Sequence, residues 1–252
     1  MGITFNPFSL EGKTILVTGA SSGIGAQVAI DCSKMGANVI ITARNEERLQ
    51  QTLDSMTENE HHSIVADLNN ESEIENLVAY LPKLNGVVLC AGVGFTLPFT
   101  FCSRTKIDDV FNINFFAPIE LLRLLIKKKK MEPDSSVVFV SSIGGVNVFN
   151  VGNSVYGASK GAINTMMKQI ALEIAPKKIR VNSVNPGMVN TKLIREGMTL
   201  TEEQLKEDEN RYPLKRYGET TDVSNGIIYL LSDASCWVTG HALVIDGGVS
   251  LV

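Results

Sequence analysis

Seven stretches of nearly continuous apolar residues, at positions 13–18, 37–43, 62–66, 86–91, 136–141, 179–185 and 242–246, punctuate the chain. Runs this short without polar alternation suit parallel strands covered on both faces. Between them, apolar residues recur at three- and four-residue intervals over 26–35, 46–56, 71–81, 105–129, 155–175 and 221–231, which predicts helices, with Gly36 placed to stop the first. Alternation of this kind implies right-handed crossovers. The expected fold is α/β, a doubly wound, seven-stranded parallel sheet with helices on both faces. With no internal repeat and only 252 residues, the chain reads as one domain over 1–252. Within it, about 10–190 make the core, the polar and charged stretch 191–218 reads as a lid or a surface excursion, and 219–252 supplies the last helix and strand.

Charge narrows the partners. A formal net charge of −4 argues against a nucleic-acid surface, and the one basic block, Lys127 to Lys130, falls where a helix should end and meets the negative helix terminus. Cys32, Cys90, Cys102 and Cys236 show no C-x-x-C spacing and suggest a reducing compartment. His61, His62 and His241 lack metal-ligand spacing, so no metal site is expected. No apolar run reaches membrane-spanning length, and Met1 to Leu10 lacks the basic start and apolar core of a signal peptide, so the expected location is cytoplasmic, with no membrane partner.

Two motifs carry chemistry. The buried strand Lys13 to Thr18 runs directly into Gly19-Ala20-Ser21-Ser22-Gly23-Ile24-Gly25, and a helix follows. Glycines at 19, 23 and 25 permit a tight turn, close approach of backbone N–H groups to a pyrophosphate, and packing of the helix on the strand, although the spacing differs from G-x-G-x-x-G. On a helix, Tyr156-Gly157-Ala158-Ser159-Lys160 places a phenol and an ammonium on one face, one turn apart. A cation beside the phenol favours the phenolate and lowers its pKa, which makes an acid–base device; the same pair also occurs on ordinary exposed helices. Ligands of doubly wound sheets bind beyond the carboxyl ends of the strands, where Gly19–Gly25, Ala91-Gly92, Ser141-Ser142 and Pro186-Gly187 all fall.

With Thr18-Gly19-x-x-x-Gly23-Ile24-Gly25, Asn114, Ser142, Tyr156-x-x-x-Lys160, Asn185-Pro186-Gly187-x-x-x-Thr191 and Asp246-Gly247-Gly248 in this order, residues 10 to 252 resemble the short-chain dehydrogenase/reductase family. The C-terminal part looks most like 3-oxoacyl-acyl-carrier-protein reductases. The resemblance implies a Rossmann-type hydride-transfer enzyme, homotetrameric or homodimeric. It makes Tyr156 the general acid in carbonyl reduction and Lys160 the group that lowers its pKa and holds the nicotinamide ribose. Ser142 would hydrogen-bond the substrate oxygen, with Ser141 a competitor. Asn114 would distort its helix and hold a water linking Lys160 to solvent. The implied cofactor-binding set is Gly19, Ser21, Ser22, Gly23, Ile24, Gly25, Arg44, Asp67, Leu68, Ala91, Gly92, Tyr156, Lys160, Pro186, Gly187, Val189 and Thr191.

Cofactor choice follows from the end of the second strand. NAD-binding members place a carboxylate there for the ribose 2′-hydroxyl; here Ala43 takes that place and Arg44 follows, so a 2′-phosphate would meet a cation and NADP(H) is favoured. A small carbonyl or alcohol substrate is expected, first a 3-oxoacyl thioester, carrier-linked or not, then a sugar, steroid or small alcohol. A nucleotide sensor or scaffold without catalysis is the alternative of another class. Phe95, Phe149, Met188, Leu193 and Ile194 suggest an apolar pocket lining or interior packing, and the apolar ending around Trp237, Ala242 to Ile245 and Leu251-Val252 suits either core or subunit contact.

Two departures from the family pattern stand out. Leu89-Cys90-Ala91-Gly92 replaces Asn-Asn-Ala-Gly, so strand ties there are expected from packing alone. The interval from Ser142 to Tyr156 is one position longer than usual, which the loop between them should absorb.

Overall fold

Each apolar run forms a strand, because a segment without polar alternation can satisfy its backbone and bury both faces only inside a covered sheet. The computed structural model describes residues 6–191 and 201–252. In chain order it contains β1 (Thr14–Thr18), α1 (Gly23–Lys34), β2 (Asn38–Ala43), α2 (Glu46–Asp54), β3 (His62–Val65), α3 (Glu71–Tyr80), β4 (Leu84–Leu89), α4 (Arg104–Phe111), α5 (Ala117–Lys127), β5 (Met131–Val140), α6 (Ser154–Ile174), β6 (Arg180–Pro186), α7 (Glu202–Glu209), α8 (Thr220–Leu231) and β7 (Ala242–Ile245). The strands pair in the order β3-β2-β1-β4-β5-β6-β7, all parallel. Strand order reverses between β1 and β4, which opens a crevice at their carboxyl ends.

Alternation along the strands divides the core into two layers. Leu16, Val87, Val137 and Phe139 face α3, α5 and α6, where Leu77, Leu121, Leu125, Ile163 and Met167 cover them. Their neighbours Ile15, Val17, Val88 and Val138 face the other way, toward Val28 and Cys32 of α1 and Val223 and Ile227 of α8.

The helix expected over 105–129 is interrupted. Asn112–Phe116 form a π-helical turn between α4 and α5, in which the Ala117 N–H donates to the Asn112 carbonyl five residues back. Pro118 explains it. Proline has no N–H to give the carbonyl four residues earlier, that of Asn114, and in an α-helix its ring would press on that carbonyl. A widened turn relieves the clash. Strand β5 also starts earlier than expected, at Met131, and reaches its apolar stretch past Asp134, whose φ is +62°.

The end of β4 departs from expectation too. Packing is not the only tie there, because the Thr18 hydroxyl at the end of β1 accepts hydrogen bonds from the Cys90 N–H (3.0 Å) and the Ala91 N–H (3.2 Å). A strand-end hydroxyl thus does work that the absent asparagines would otherwise share. Thr18 is 1 % exposed, so Thr18→Val keeps its shape and strands two donors. Urea unfolding is expected to show a loss of about 1–3 kcal/mol; unchanged stability would remove the tie.

Candidate active site

The turn from β1 to α1 has no room for side chains. Gly19 has φ +67°, and a Cβ there would stand 2.7 Å from the Ala91 Cα; one on Gly25 would collide with the Gly19 carbonyl. Gly23, with φ +57°, opens α1, and the preceding Ser22 leaves the first-turn N–H groups without a side-chain cap. Bare N–H groups at a helix N-terminus, beside a strand junction stripped of Cβ atoms, fit the phosphates of a dinucleotide. Gly92 continues the cradle. A Cβ there would lie 3.2 Å from Asn114 Oδ1 and 3.3 Å from Lys160 Nζ.

On the far side of the crevice, Pro186 ends β6, the Gly187 N–H donates to the Ile245 carbonyl (3.0 Å), and buried Val189 forms a β-bridge with Gly218. Thr191 returns toward the first turn, its methyl 3.5 Å from where a Gly23 Cβ would be. Arg44 is exposed directly after β2. Asp67 follows β3, accepts a hydrogen bond from the Asn69 N–H and gives its own N–H to Glu73, while Leu68 is buried. Ser21 and Ile24 are half-buried in the glycine turn. Leu193 and Ile194 lie outside the described residues; of the other apolar candidates, Phe149 is exposed, and Phe95 and Met188 are half-buried.

Ser142, Tyr156, Lys160 and Asn114 converge at the end of β5. Lys160 Nζ donates to the Val140 carbonyl at 2.8 Å and lies 5.7 Å from the centre of the Tyr156 ring. Ser142 begins a 3₁₀ turn, its Oγ accepting from the Gly144 N–H (3.2 Å), and its hydroxyl lies on the side of the Tyr156 phenol, whose pKa it lowers. Ser141 points the other way, buried, and donates to the Lys160 backbone carbonyl at 3.0 Å. Of the two serines, Ser142 therefore faces the phenol. Asn114, 2 % exposed in the π-helical turn, accepts from the Val93 N–H and donates to the Val93 carbonyl, both at 2.8 Å, and to Ser159 Oγ at 3.0 Å. Ser159 in turn donates to the Tyr156 carbonyl (2.7 Å). The long interval between Ser142 and Tyr156 runs through a surface loop, held to the loop after β4 by the Leu97 N–H on the Gly152 carbonyl (2.8 Å).

The charge state differs from the expectation that Lys160 lowers the Tyr156 pKa. Burial dominates and pushes the phenol up, opposed by the nearby Ser142 hydroxyl. Burial also pushes Lys160 down to about 8 and the neighbouring Cys90 thiol up to about 11. Thr18, Ser159 and Asn164 escaped the sequence reading. The last two had a signal: polar residues in register with Val155, Ile163 and Met167 on the buried face of α6.

Because Lys160 holds its proton less tightly folded than unfolded, the unfolded chain binds more protons between about pH 8 and the ordinary value of 10.5. Its contribution to stability is lowest below pH 8 and rises through that window. Relative to a Lys160→Met variant, the protein is expected to gain roughly 2–3 kcal/mol from pH 8 to 10.5 in urea melts. Parallel stability curves would refute the burial.

Comparison with known proteins gives one consistent result. A sequence model of a family described as enoyl-(acyl carrier protein) reductase matches residues 19–250. A 3-oxoacyl-[acyl-carrier-protein] reductase of Rickettsia felis is 35% identical over 246 residues, spanning 96% of this chain and 99% of the relative. An L-xylulose reductase of Caenorhabditis elegans is 33% identical over 248 residues, spanning 96% and 98%. The solved Pseudomonas aeruginosa RhlG/NADP active-site complex superposes with a TM-score of 0.90 at 25% identity, covering 98% of this chain and 100% of that one. Likeness along nearly the whole length, on a sheet reversed at the glycine turn, shows that the chain belongs to the short-chain dehydrogenase/reductase family of oxidoreductases.

Proposed function

We propose that this protein is an NADP(H)-dependent reductase of a carbonyl compound, with Tyr156 as proton donor, Ser142 as the partner of the substrate oxygen and Lys160 as the cation behind them. The observation that carries it is the convergence of Ser142 and Tyr156 on buried Lys160, 5.7 Å from the phenol ring, next to backbone that Gly19, Gly25 and Gly92 keep bare. When bound, NADP(H) supplies the hydride. A phenol pushed up by burial is protonated at neutral pH, as a general acid for reduction must be. Ser142 offers a hydroxyl to the substrate oxygen as negative charge develops there. Lys160, with a pKa of about 8, is mostly cationic at neutral pH, and its charge favours the phenolate left once Tyr156 has given up its proton. Asn114 fixes Val93 and, through Ser159, the turn of α6 that carries Tyr156. Gly19, Ser21, Ser22, Gly23, Ile24 and Gly25 would take the phosphates, Asp67 and Leu68 the adenine end, and Ala91, Gly92, Pro186, Gly187, Val189 and Thr191 the nicotinamide half.

Preference for NADP(H) rests on exposed Arg44 at the end of β2, where a carboxylate would serve NAD. For substrate, a 3-oxoacyl thioester is the first reading, supported by the Rickettsia relative; a sugar is the second, supported by the xylulose reductase. A homodimer or homotetramer accompanies this reading. Phe116 on the π-helical turn, Leu172 on α6, and Trp237 and Leu251 near the C-terminus are large apolar groups left exposed. A cytoplasmic location also belongs to it, supported by four cysteines that form no disulfide.

Fluorescence titration is expected to show tighter binding of NADPH than NADH, with the preference falling by about tenfold or more in Arg44→Ala, the weight of one charge-assisted contact. Tighter NADH binding would overturn the reading of Arg44. With a 3-oxoacyl thioester and NADPH oxidation as readout, Tyr156→Phe is expected to retain NADPH binding and lose turnover by about 100-fold or more. Undiminished turnover would remove Tyr156 from the chemistry, and no binding of either nucleotide would favour a protein that has left catalysis.

A further inference from the structure

Asn164 lies one turn beyond Lys160 on the same face of α6, so Tyr156, Lys160 and Asn164 form a single column at four-residue intervals. It is 7 % exposed, and both polar atoms of its carboxamide are hydrogen-bonded. Its Nδ2 donates to the Gly145 carbonyl (3.2 Å) and to Asn185 Oδ1 (2.8 Å), and its Oδ1 accepts from Ser183 Oγ (2.8 Å). Asn185 Nδ2 donates in turn to Ser183 Oγ (3.2 Å). The three side chains close a ring in which each donates to the next: Asn164 to Asn185, Asn185 to Ser183, Ser183 to Asn164. Since the Gly145 carbonyl can only accept, the amide has one possible orientation, and the sense of the whole ring follows from it. Asn185 and Ser183 are fully buried in β6.

The bond outside the ring reaches the reacting groups. Gly145 closes the turn that begins at Ser142, giving its N–H to the Ser142 carbonyl (2.9 Å). That turn rests on α6 so closely that a Cβ on Gly145 would stand 2.5 Å from the Lys160 carbonyl carbon, and one on Gly157 would stand 2.9 Å from the Gly144 carbonyl oxygen. Ser141 pins the start of the turn to the Lys160 carbonyl, and Asn164 pins its end. Between these two pins sits Ser142. On the other side the ring holds Asn185, the residue before Pro186-Gly187.

We propose that Asn164 is a positioning residue: by clamping the Gly145 carbonyl from within a closed ring with Asn185 and Ser183, it fixes the distance and angle of the Ser142 hydroxyl to Tyr156. The proposal rests on the reading of Ser142 and Tyr156 given above. A buried polar ring of this kind is oriented and gives each of its side-chain polar atoms a partner, so it holds one geometry, whereas apolar packing at the same place would leave the Gly145 carbonyl without a partner and the turn free to shift. Loss of sub-ångström alignment between a hydrogen-bond donor and the reacting oxygen lowers the rate without a matching loss of binding.

The test compares the full-length protein with Asn164→Leu, Ser142→Ala and the double variant, reading melting temperature, NADPH affinity by fluorescence, and kcat and KM on one ketone. Asn164→Leu is expected to lower kcat by about tenfold or more, with NADPH affinity within about threefold, and to lower it by less than about twofold once Ser142 is already alanine. Ser183→Ala opens the ring but leaves the Gly145 bond, and is expected to lower kcat in the same sense as Asn164→Leu but by less. Where Asn164→Leu fails to fold, Asn164→Ser is read by the same criteria. A lower melting temperature with unchanged kcat, or the same fold-loss in both Ser142 backgrounds, would reduce Asn164 to packing and overturn the proposal while the reading of Ser142 stands. Full turnover in Ser142→Ala would overturn both.

Discussion

The close approach of two backbones where the strand order reverses is the constraint on which the site depends. Gly19 and Ala91 stand so near that no side chain fits between them, and the Thr18 hydroxyl holds the ends of β1 and β4 at that separation. Parallel strands bring both carboxyl ends to the same side, and the reversal keeps a helix from covering them. A crevice is the geometric result. Its floor is backbone amide, and its walls are supplied by the segments that leave the neighbouring strands, among them the Ser142 turn after β5 and the Gly187 turn after β6.

Burial then sets the chemistry. A lysine ammonium deep in a protein is costly, and here the Val140 carbonyl is the one hydrogen-bond acceptor that Lys160 meets among the described residues. The same burial keeps the phenol protonated. Low dielectric therefore acts in opposite directions on the two groups: it favours the neutral form of each, leaving a proton on the tyrosine and loosening one on the lysine. Their environment, more than their mutual charge, keeps the phenol protonated and brings the lysine alone toward neutral pH.

Much of this was legible in the sequence because it rests on local pattern. Nearly continuous apolar runs marked all seven strands, most plainly the inner ones, since covered parallel strands admit little else while the edge strands β3 and β7 are less buried, and Gly19, Gly23 and Gly25 were recognisable where a tight turn leaves a strand. Other features depend on partners distant in the chain. Which of Ser141 and Ser142 faces Tyr156 is decided by the Lys160 carbonyl, which captures Ser141 from nineteen residues away. Thr18 looked like the last residue of a strand, and its part in holding β4 is visible only once the strands are paired. The distortion at Asn114 was implied by the family resemblance, whereas its cause, Pro118, which cannot continue an α-helix through that carbonyl, was concealed by an otherwise regular apolar period over 105–129. Asn164 was concealed the same way, one polar residue in an apolar stripe.

The chain holds a single tryptophan, and Trp237 is 97 % exposed, beyond α8 and before the edge strand β7. Its indole is optically in water. Intrinsic emission at long wavelength is the natural consequence, with little sensitivity to events in the crevice and full sensitivity to whatever covers that corner. A blue shift on concentrating the protein would be a signal of assembly, carried by a fluorophore that the fold itself placed outside its core.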